Sequence, residues 1–193
     1  MLDFDGLAFQ TTQFADPIPD GKVEPSDAEA VAKLEANLRK QAGDSLSLEA
    51  TPRVALTATG PKIERARAAA VTFMQQRFKK RVIFYQSNNP KINGVYSPEQ
   101  PGVLFVSETT RRPLLAVLGH EVTHAMRRDR PDLYNAMAAD LGHLLKGDEV
   151  FYAKLNAERT ASGIAALPSD KSNEELMANI VGDFLDEPAT LRT

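Results

Sequence analysis

The sequence predicts an α+β domain with a small mixed or antiparallel sheet and a helical C-terminal part. Runs of β-branched and aromatic residues, separated by turn residues, occur between Val82 and Val106. Apolar residues recur at helical spacing before this stretch and again from Pro113 onward. Helices, then a small sheet, then helices again is an order typical of an α+β fold.

The chain is expected to begin with an arm and to continue as one domain. Residues 1–25 are rich in proline and have little periodicity, which predicts an extended arm or linker before a folded domain at 26–193. The first predicted elements are a helix from the capping-box pattern Ser26-Asp27-Ala28-Glu29 to about Gln41, a short strand at Arg53–Thr57 within the ambiguous stretch 44–60, and a helix from Pro61 to about Lys79. The later ones are strands Val82–Tyr85, Gly94–Tyr96 and Val103–Val106, and helices 112–128, 131–145, 149–162 and 172–186.

Composition and charge exclude several classes of function. The net charge of -3 offers no basic footprint, so nucleic-acid binding is not expected. The absence of cysteine excludes disulfides and cysteine-based zinc sites. We find no Sec signal peptide and no apolar run long enough to span a bilayer. No membrane partner is therefore predicted, and the chain is expected in the cytoplasm or to be exported by a signal-independent route.

The sequence Gly119-His120-Glu121-Val122-Thr123-His124 is an HExxH motif within the predicted 112–128 helix. Residues four apart lie one turn apart on one helix face, so His120 and His124 can bind one Zn²⁺ from the same side. Glu121 is then placed as a general base that takes a proton from a zinc-bound water. Two of the three histidines of the chain fall into this pattern. The alternative is a surface helix with solvated histidines and no metal.

A catalytic zinc needs a third protein ligand, because such sites keep three protein ligands and one open position. The longer pattern HExxHxxGxxH is excluded, since positions 127 and 130 both hold arginine. The residues alone leave five candidates, which are Asp140, His143, Glu158, Glu174 and Glu175.

The motif in its context LGHEVTHA, followed some fifty residues later by Glu-Leu-Met-Ala-Asn at 175–179, resembles the zincin-type metallopeptidases. More narrowly, it is similar to the gluzincin-like group that includes the ImmA/IrrE family and the metallopeptidase domains of phage, mobile-element and polymorphic-toxin proteins. The third ligand of that group is a Glu opening a later helix, in a pattern like ExxAxxFAxxLL. The matching positions here are Glu175, Ala178, Val181, Gly182 and Leu185, with Val181 in place of Phe and Asp186 in place of the second Leu.

This resemblance, which covers roughly residues 82–186, implies a zincin-like fold and a zinc metalloendopeptidase with Glu175 as third ligand. It suggests three alternative roles, which are a toxin or effector domain, a processing protease and a regulator that cleaves one repressor. It also implies that an edge strand near the motif binds an extended protein or peptide substrate by strand addition. We assign that role to Val103–Ser107, with a core strand as the alternative.

Two residues of the last predicted helix each have a second interpretation. Ser172-Asn173-Glu174-Glu175 is also a capping box, in which Glu175 would only stabilise a helix start. Asn179, one turn further on, could orient a metal ligand or be an exposed helix residue.

Other side chains have candidate roles around the motif. His143, Tyr134 and Tyr152 could donate a hydrogen bond to the oxyanion of the tetrahedral intermediate, although a histidine among leucines is also typical of packing. The helix is bracketed by Arg111, Arg112, Arg127, Arg128 and Arg130. The last three suit the negative end of the helix dipole, and binding of an acidic substrate is the alternative.

The predicted function is a zinc-dependent metallopeptidase in which Glu121 activates the water. The alternative is a non-catalytic, metal-stabilised binding module with a vestigial or structural zinc site. A fourth protein ligand would favour this alternative, because structural zinc sites are closed.

Overall fold

The structure, a computed structural model, describes residues 25–51, 62–145, 149–161, 166 and 168–186. The predicted strand at 53–57 lies outside these residues, as does the predicted arm up to residue 24. The described side chains exclude those at 25, 41–42, 62–66, 142–145, 149, 151–152, 158 and 169–170.

The described residues form six helices and four strands. The helices are α1 (Pro25–Ala42), α2 (Lys62–Phe78), α3 (Leu114–Asp129), α4 (Pro131–Leu145), α5 (Glu149–Ala161) and α6 (Ser169–Asp186). The strands are β1 (Leu48–Ala50), β2 (Arg81–Ser87), β3 (Gly94–Tyr96) and β4 (Val103–Ser107). The predicted α+β class is confirmed, and β1 is an additional strand in the stretch that the sequence left ambiguous.

The ends of α1 follow local chemistry. The helix begins at Pro25, one residue before the predicted capping box, and the fixed φ of proline suits a first helical position. It ends at Ala42, and the next residue, Gly43, has a φ of +91°, which glycine adopts without a Cβ clash. The Gly43 amide donates to the Arg39 carbonyl and so satisfies one of the last carbonyls of the helix.

The sheet is mixed and has the strand order β1-β2-β4-β3. β2 pairs with β1 in the antiparallel sense and with β4 in the parallel sense, and β3 pairs with β4 in the antiparallel sense. The expectation that Val103–Ser107 is an edge strand is wrong, because both of its hydrogen-bonding edges are occupied and all five residues are buried. The chain leaves β2, forms β3 at the edge and only then returns to fill the interior position.

Helices cover both faces of this sheet. On one face α1 contributes Val31 and Leu34, which pack with Ile83 and Phe105. On the other face α2 and α3 contribute Met74, Leu118 and Val122, which pack with Phe84 and Leu104. α6 lies against α3, and this is the most extensive contact between any two elements of the described chain. The motif helix α3 is therefore held between the sheet and α6.

None of the described helices is long and apolar enough to cross a membrane.

Candidate metal centre

The two motif histidines lie on the face of α3 that borders an open cleft. The helix begins after Pro113, whose carbonyl accepts the amide of Val117, and the residues around the motif on the sheet side are buried. His120 and His124 are one turn apart, and their side chains are 16% and 15% exposed. Their Nε2 atoms lie 3.1 Å from each other. Helical spacing thus brings both imidazoles to one point, as the sequence predicts.

Glu175 of α6 completes a three-residue cluster with these histidines. Its Oε2 lies 3.5 Å from His120 Nε2, and its Oε1 lies 3.6 Å from His124 Nε2. A tetrahedral ion at about 2.0–2.1 Å from each ligand atom requires ligand atoms about 3.3 Å apart. Two imidazole nitrogens and a carboxylate at these separations fit a divalent transition-metal ion, and the cluster could hold a metal.

The capping-box alternative for Glu175 is excluded by the position of the helix start. α6 begins at Ser169, three residues earlier than the predicted start. The amide of Ser172 already donates to the carbonyl of Pro168 at 2.9 Å, so it is not an orphan donor for a Glu175 side chain. The carboxylate of Glu175 faces the histidines instead.

Two glycines allow α6 to approach α3 closely enough for this cluster. A Cβ at Gly182 would lie 2.4 Å from the carbonyl oxygen of Ala116, and one at Gly119 would lie 3.0 Å from the Cα of Gly182. These atoms belong to backbone and cannot rotate away. The absence of side chains at both positions therefore sets the distance between Glu175 and the histidines.

Replacing Gly182 with Ala should move α6 away from α3. Alanine normally stabilises a helix interior by up to about 1 kcal/mol relative to glycine. Here we expect the opposite effect, because the added methyl group would overpack the contact between the helices. The free energy of unfolding should fall by about 1–3 kcal/mol, and metal binding should be weaker. Thermal unfolding and a zinc titration would measure both effects.

Gly102→Ala is the matched control for this prediction, because nothing lies within 4 Å of the Cβ that it would add. A Gly182→Ala protein with unchanged stability and unchanged zinc affinity would contradict the close-packing argument.

Each histidine is oriented by a different residue of α6. His120 Nδ1 lies 3.1 Å from Asn179 Oδ1, and His124 Nδ1 lies 2.9 Å from Glu174 Oε1. Because these oxygens accept, both rings carry the proton on Nδ1 and present the lone pair of Nε2 to the cluster. The structure thus brings Asn179 to the position that the sequence analysis considered for it, and it brings Glu174 to the far side of the imidazole, not to the metal position.

Basic side chains hold these two supports in place. Arg112 Nη1 donates to Asn179 Oδ1 at 3.1 Å, and its Nη2 lies 3.0 Å from Asp183. Arg127 and Lys171 both donate to Glu174 Oε2. Burial raises the pKa of Glu174, but hydrogen bonds from His124 and Lys171 and the charge of Arg127 outweigh it and lower this pKa to about 2. Glu174 is therefore a firmly ionised support for His124.

Glu121 is enclosed between α3 and the edge strand β3. The residue is 6% exposed, and the backbone amide of Tyr96 hydrogen-bonds to its carboxylate. A Cβ at Gly94 would lie 2.8 Å from Glu121 Oε1, so the strand can pass this close only with glycine there. Burial raises the pKa of Glu121, and this effect is larger than the opposing electrostatic influence of the neighbouring His120 and His124. A raised pKa brings the proton affinity of a carboxylate closer to what a general base at neutral pH needs.

The cleft beside the cluster has a volume of about 790 Å³. One wall is the continuous stretch 91–96 with Pro98, the floor is α3, and the opposite wall includes the first turns of α6 and Arg159 of α5. His120, Glu121, His124 and Glu175 all open onto it. The cleft therefore gives an extended ligand access to the cluster along the edge strand β3.

Among the predicted oxyanion donors, Tyr134 has a described side chain, and the structure does not bring it to this cleft. Tyr134 does not line it and lies beyond Arg127, whose guanidinium is 5.9 Å from the tyrosine ring centroid. The side chains of His143 and Tyr152 lie outside the described residues, as does that of Glu158, and Asp140 is exposed on α4.

Several cleft residues were not identified from the sequence. Lys91, Arg159 and Lys171 line the cleft, and the backbone amide of Tyr96 binds Glu121. No local sequence pattern predicts that these residues line the cleft, because the tertiary fold, not local spacing, brings each of them there.

Fold and site together define an α+β domain with a His-His-Glu cluster that could hold a metal ion. Comparisons of the chain with protein-family models, with curated proteins and with solved structures found no match.

Proposed function

We propose that this domain is a zincin-like zinc metallopeptidase. The observation that carries the proposal is the convergence of His120, His124 and Glu175 on one point, with Glu121 buried beside it in an open cleft. Among the residues that the structure describes, the cluster has three members. Three ligands are typical of a catalytic zinc, whereas a structural zinc has four, which favours an enzyme over a metal-stabilised binding module.

The chain's own residues divide the work of the reaction. Zinc, when bound, supplies a Lewis acid that polarises a carbonyl and lowers the pKa of water. Glu121 accepts the proton of the attacking water and delivers it to the leaving amine. Asn179 and Glu174 keep the two imidazoles in the tautomer that binds metal.

The edge strand β3 is the proposed place for an extended peptide. In the described sheet β3 pairs only with β4, so its outer edge borders the cleft. The Tyr96 amide on that edge binds Glu121, which leaves the other backbone donors and acceptors of the edge for a ligand. A peptide that adds to this edge by strand pairing would lie across the metal centre. β3 thus replaces Val103–Ser107, which was assigned from the sequence, as the proposed substrate-binding strand.

The test is digestion of a proteome-derived peptide library by the zinc-loaded protein, with products identified by mass spectrometry. We expect new termini to appear with zinc and to disappear after chelation. A library left intact at high enzyme concentration over many hours would contradict the proposal.

A further inference from the structure

The cleft is basic although the chain is acidic. The whole sequence has 23 Lys and Arg against 26 Asp and Glu. The described cleft lining has six basic residues against three acidic ones. The basic residues are Lys91, Arg112, Arg127, Arg128, Arg159 and Lys171, and the acidic ones are Glu121, Glu174 and Glu175.

Ion pairs offset part of this charge, and the rest remains for an incoming ligand. Glu121 and Glu175 belong to the metal centre, where a divalent cation would compensate them. Glu174 pairs with Arg127 and Lys171 and so offsets one of their two charges, and Asp183 pairs with Arg112. With a metal ion bound at the cluster, the described lining therefore keeps an excess of positive charge.

Two of the basic residues flank the strand on which a peptide would lie. Lys91 is exposed three residues before β3. At the other end, Arg128 is exposed and donates to the carbonyl of Pro98, a neutral acceptor that does not cancel its charge. Arg159 and Lys171 line the opposite wall. An extended chain along β3 would thus pass basic groups at both ends and on its far side.

We propose that the cleft selects peptide segments rich in Asp and Glu, an inference that rests on the proposed peptidase function. A cleft lined by one sign of charge focuses the field and raises the local concentration and association rate of oppositely charged ligands about 10–10³-fold. A nucleic acid fits the site less well. Single-strand binding grooves use aromatic stacking platforms, and Tyr96 is the single Phe, Tyr or Trp among the described lining residues, while both imidazoles belong to the metal cluster.

The first test compares matched peptides. A peptide that the library identifies as cleaved is synthesised with its Asp and Glu residues and again with Asn and Gln in their place. We expect kcat/KM to be at least about tenfold higher for the acidic version at low salt. The ratio should shrink towards one at about 1 M salt, where the Debye length falls to about 3 Å. Equal cleavage of both peptides at low salt would overturn the inference.

The second test reverses charges in the cleft. Arg128→Glu and Lys91→Glu should each lower kcat/KM for the acidic peptide several-fold and raise it for a lysine-substituted version, a gain that a purely structural role would not produce. Lys33→Glu is the control, because Lys33 is exposed on α1 and does not line the cleft. Two separate variants protect the test against one that fails to fold. An acidic preference that survives both reversals would overturn the inference.

Binding separates this inference from the peptidase proposal. Fluorescence anisotropy with the zinc-loaded Glu121→Gln protein measures affinity for the two matched peptides without cleavage. If the wild type cuts nothing, binding is measured with an extended peptide rich in Asp and Glu and with its Asn and Gln version. If the acidic one then binds about tenfold more tightly, the peptidase proposal fails and the acidic selectivity stands. If peptides are cut without regard to charge and bind equally, the selectivity fails and the peptidase proposal stands.

Discussion

Glu121→Gln should abolish most peptide cleavage while leaving the fold and the metal in place. General acid–base catalysis by a positioned side chain contributes about 10²–10⁴-fold, so we expect kcat to fall by about that factor. The amide has the shape of the carboxylate, and its oxygen can still accept the backbone amide of Tyr96. It cannot accept a proton from water. The substitution therefore removes the chemical role of Glu121 and keeps most of its packing.

Two measurements and one control variant make this result interpretable. Elemental analysis should give the same zinc content for wild type and variant, and thermal unfolding should show a small change at most. Glu49→Gln is the matched control, since Glu49 is exposed on β1 and does not line the cleft. A kcat within about twofold of the wild-type value would contradict the assignment of Glu121 as the base, because general-base catalysis contributes a far larger factor.

The motif could be predicted from sequence because its geometry is local. Helical periodicity alone places His120 and His124 one turn apart, and the structure keeps them so. Glu175 lies on another helix, and its place at the cluster followed from a resemblance rather than from spacing. Whether Glu175 is a ligand or a capping residue depends on where α6 begins. The helix begins at Ser169, after Pro168, and both residues lie upstream of the capping-box pattern.

The assignment of Val103–Ser107 as an edge strand was the main error, although the sequence contained a signal against it. Val103–Val106 is an uninterrupted apolar run without the alternation of a strand that has one solvent-facing side. Such a run is typical of a strand buried on both faces, and β4 is fully buried. Gly94–Tyr96 is short and partly exposed, as edge strands often are.

The supports of the site were not predictable, because they depend on contacts between distant elements. Arg112 reaches Asn179 across 67 residues, and Arg127 reaches Glu174 across 47. The positions of Gly119 and Gly182 within predicted helices weakly indicated close packing between those helices. Glycine inside a helix costs about 1 kcal/mol relative to alanine, so its presence in two helices suggests a packing reason.

Glu175→Ala should remove most of the bound zinc and the stability that zinc confers. We expect about one zinc per chain in the wild type and markedly less in the variant, because two imidazoles alone leave a catalytic site one ligand short. At a zinc concentration about 1,000 times the dissociation constant, binding stabilises the folded state by about 4 kcal/mol. For a chain of this size that corresponds to a rise in Tm of about 8–16 °C. The variant should lose most of this zinc-dependent shift.

Glu174→Ala separates a ligand from a support at the same helix turn. Removing a carboxylate that orients a ligating histidine weakens metal affinity by about 10–100-fold. The Glu174→Ala protein should therefore still bind one zinc at saturating concentration, whereas Glu175→Ala should not. Glu29→Ala, at an exposed position of α1, is the control for both variants. One zinc in Glu175→Ala with none in Glu174→Ala would move the third ligand to Glu174, and the tautomer assigned to His124 would then be wrong as well, because Glu174 could no longer be the acceptor of its Nδ1 proton.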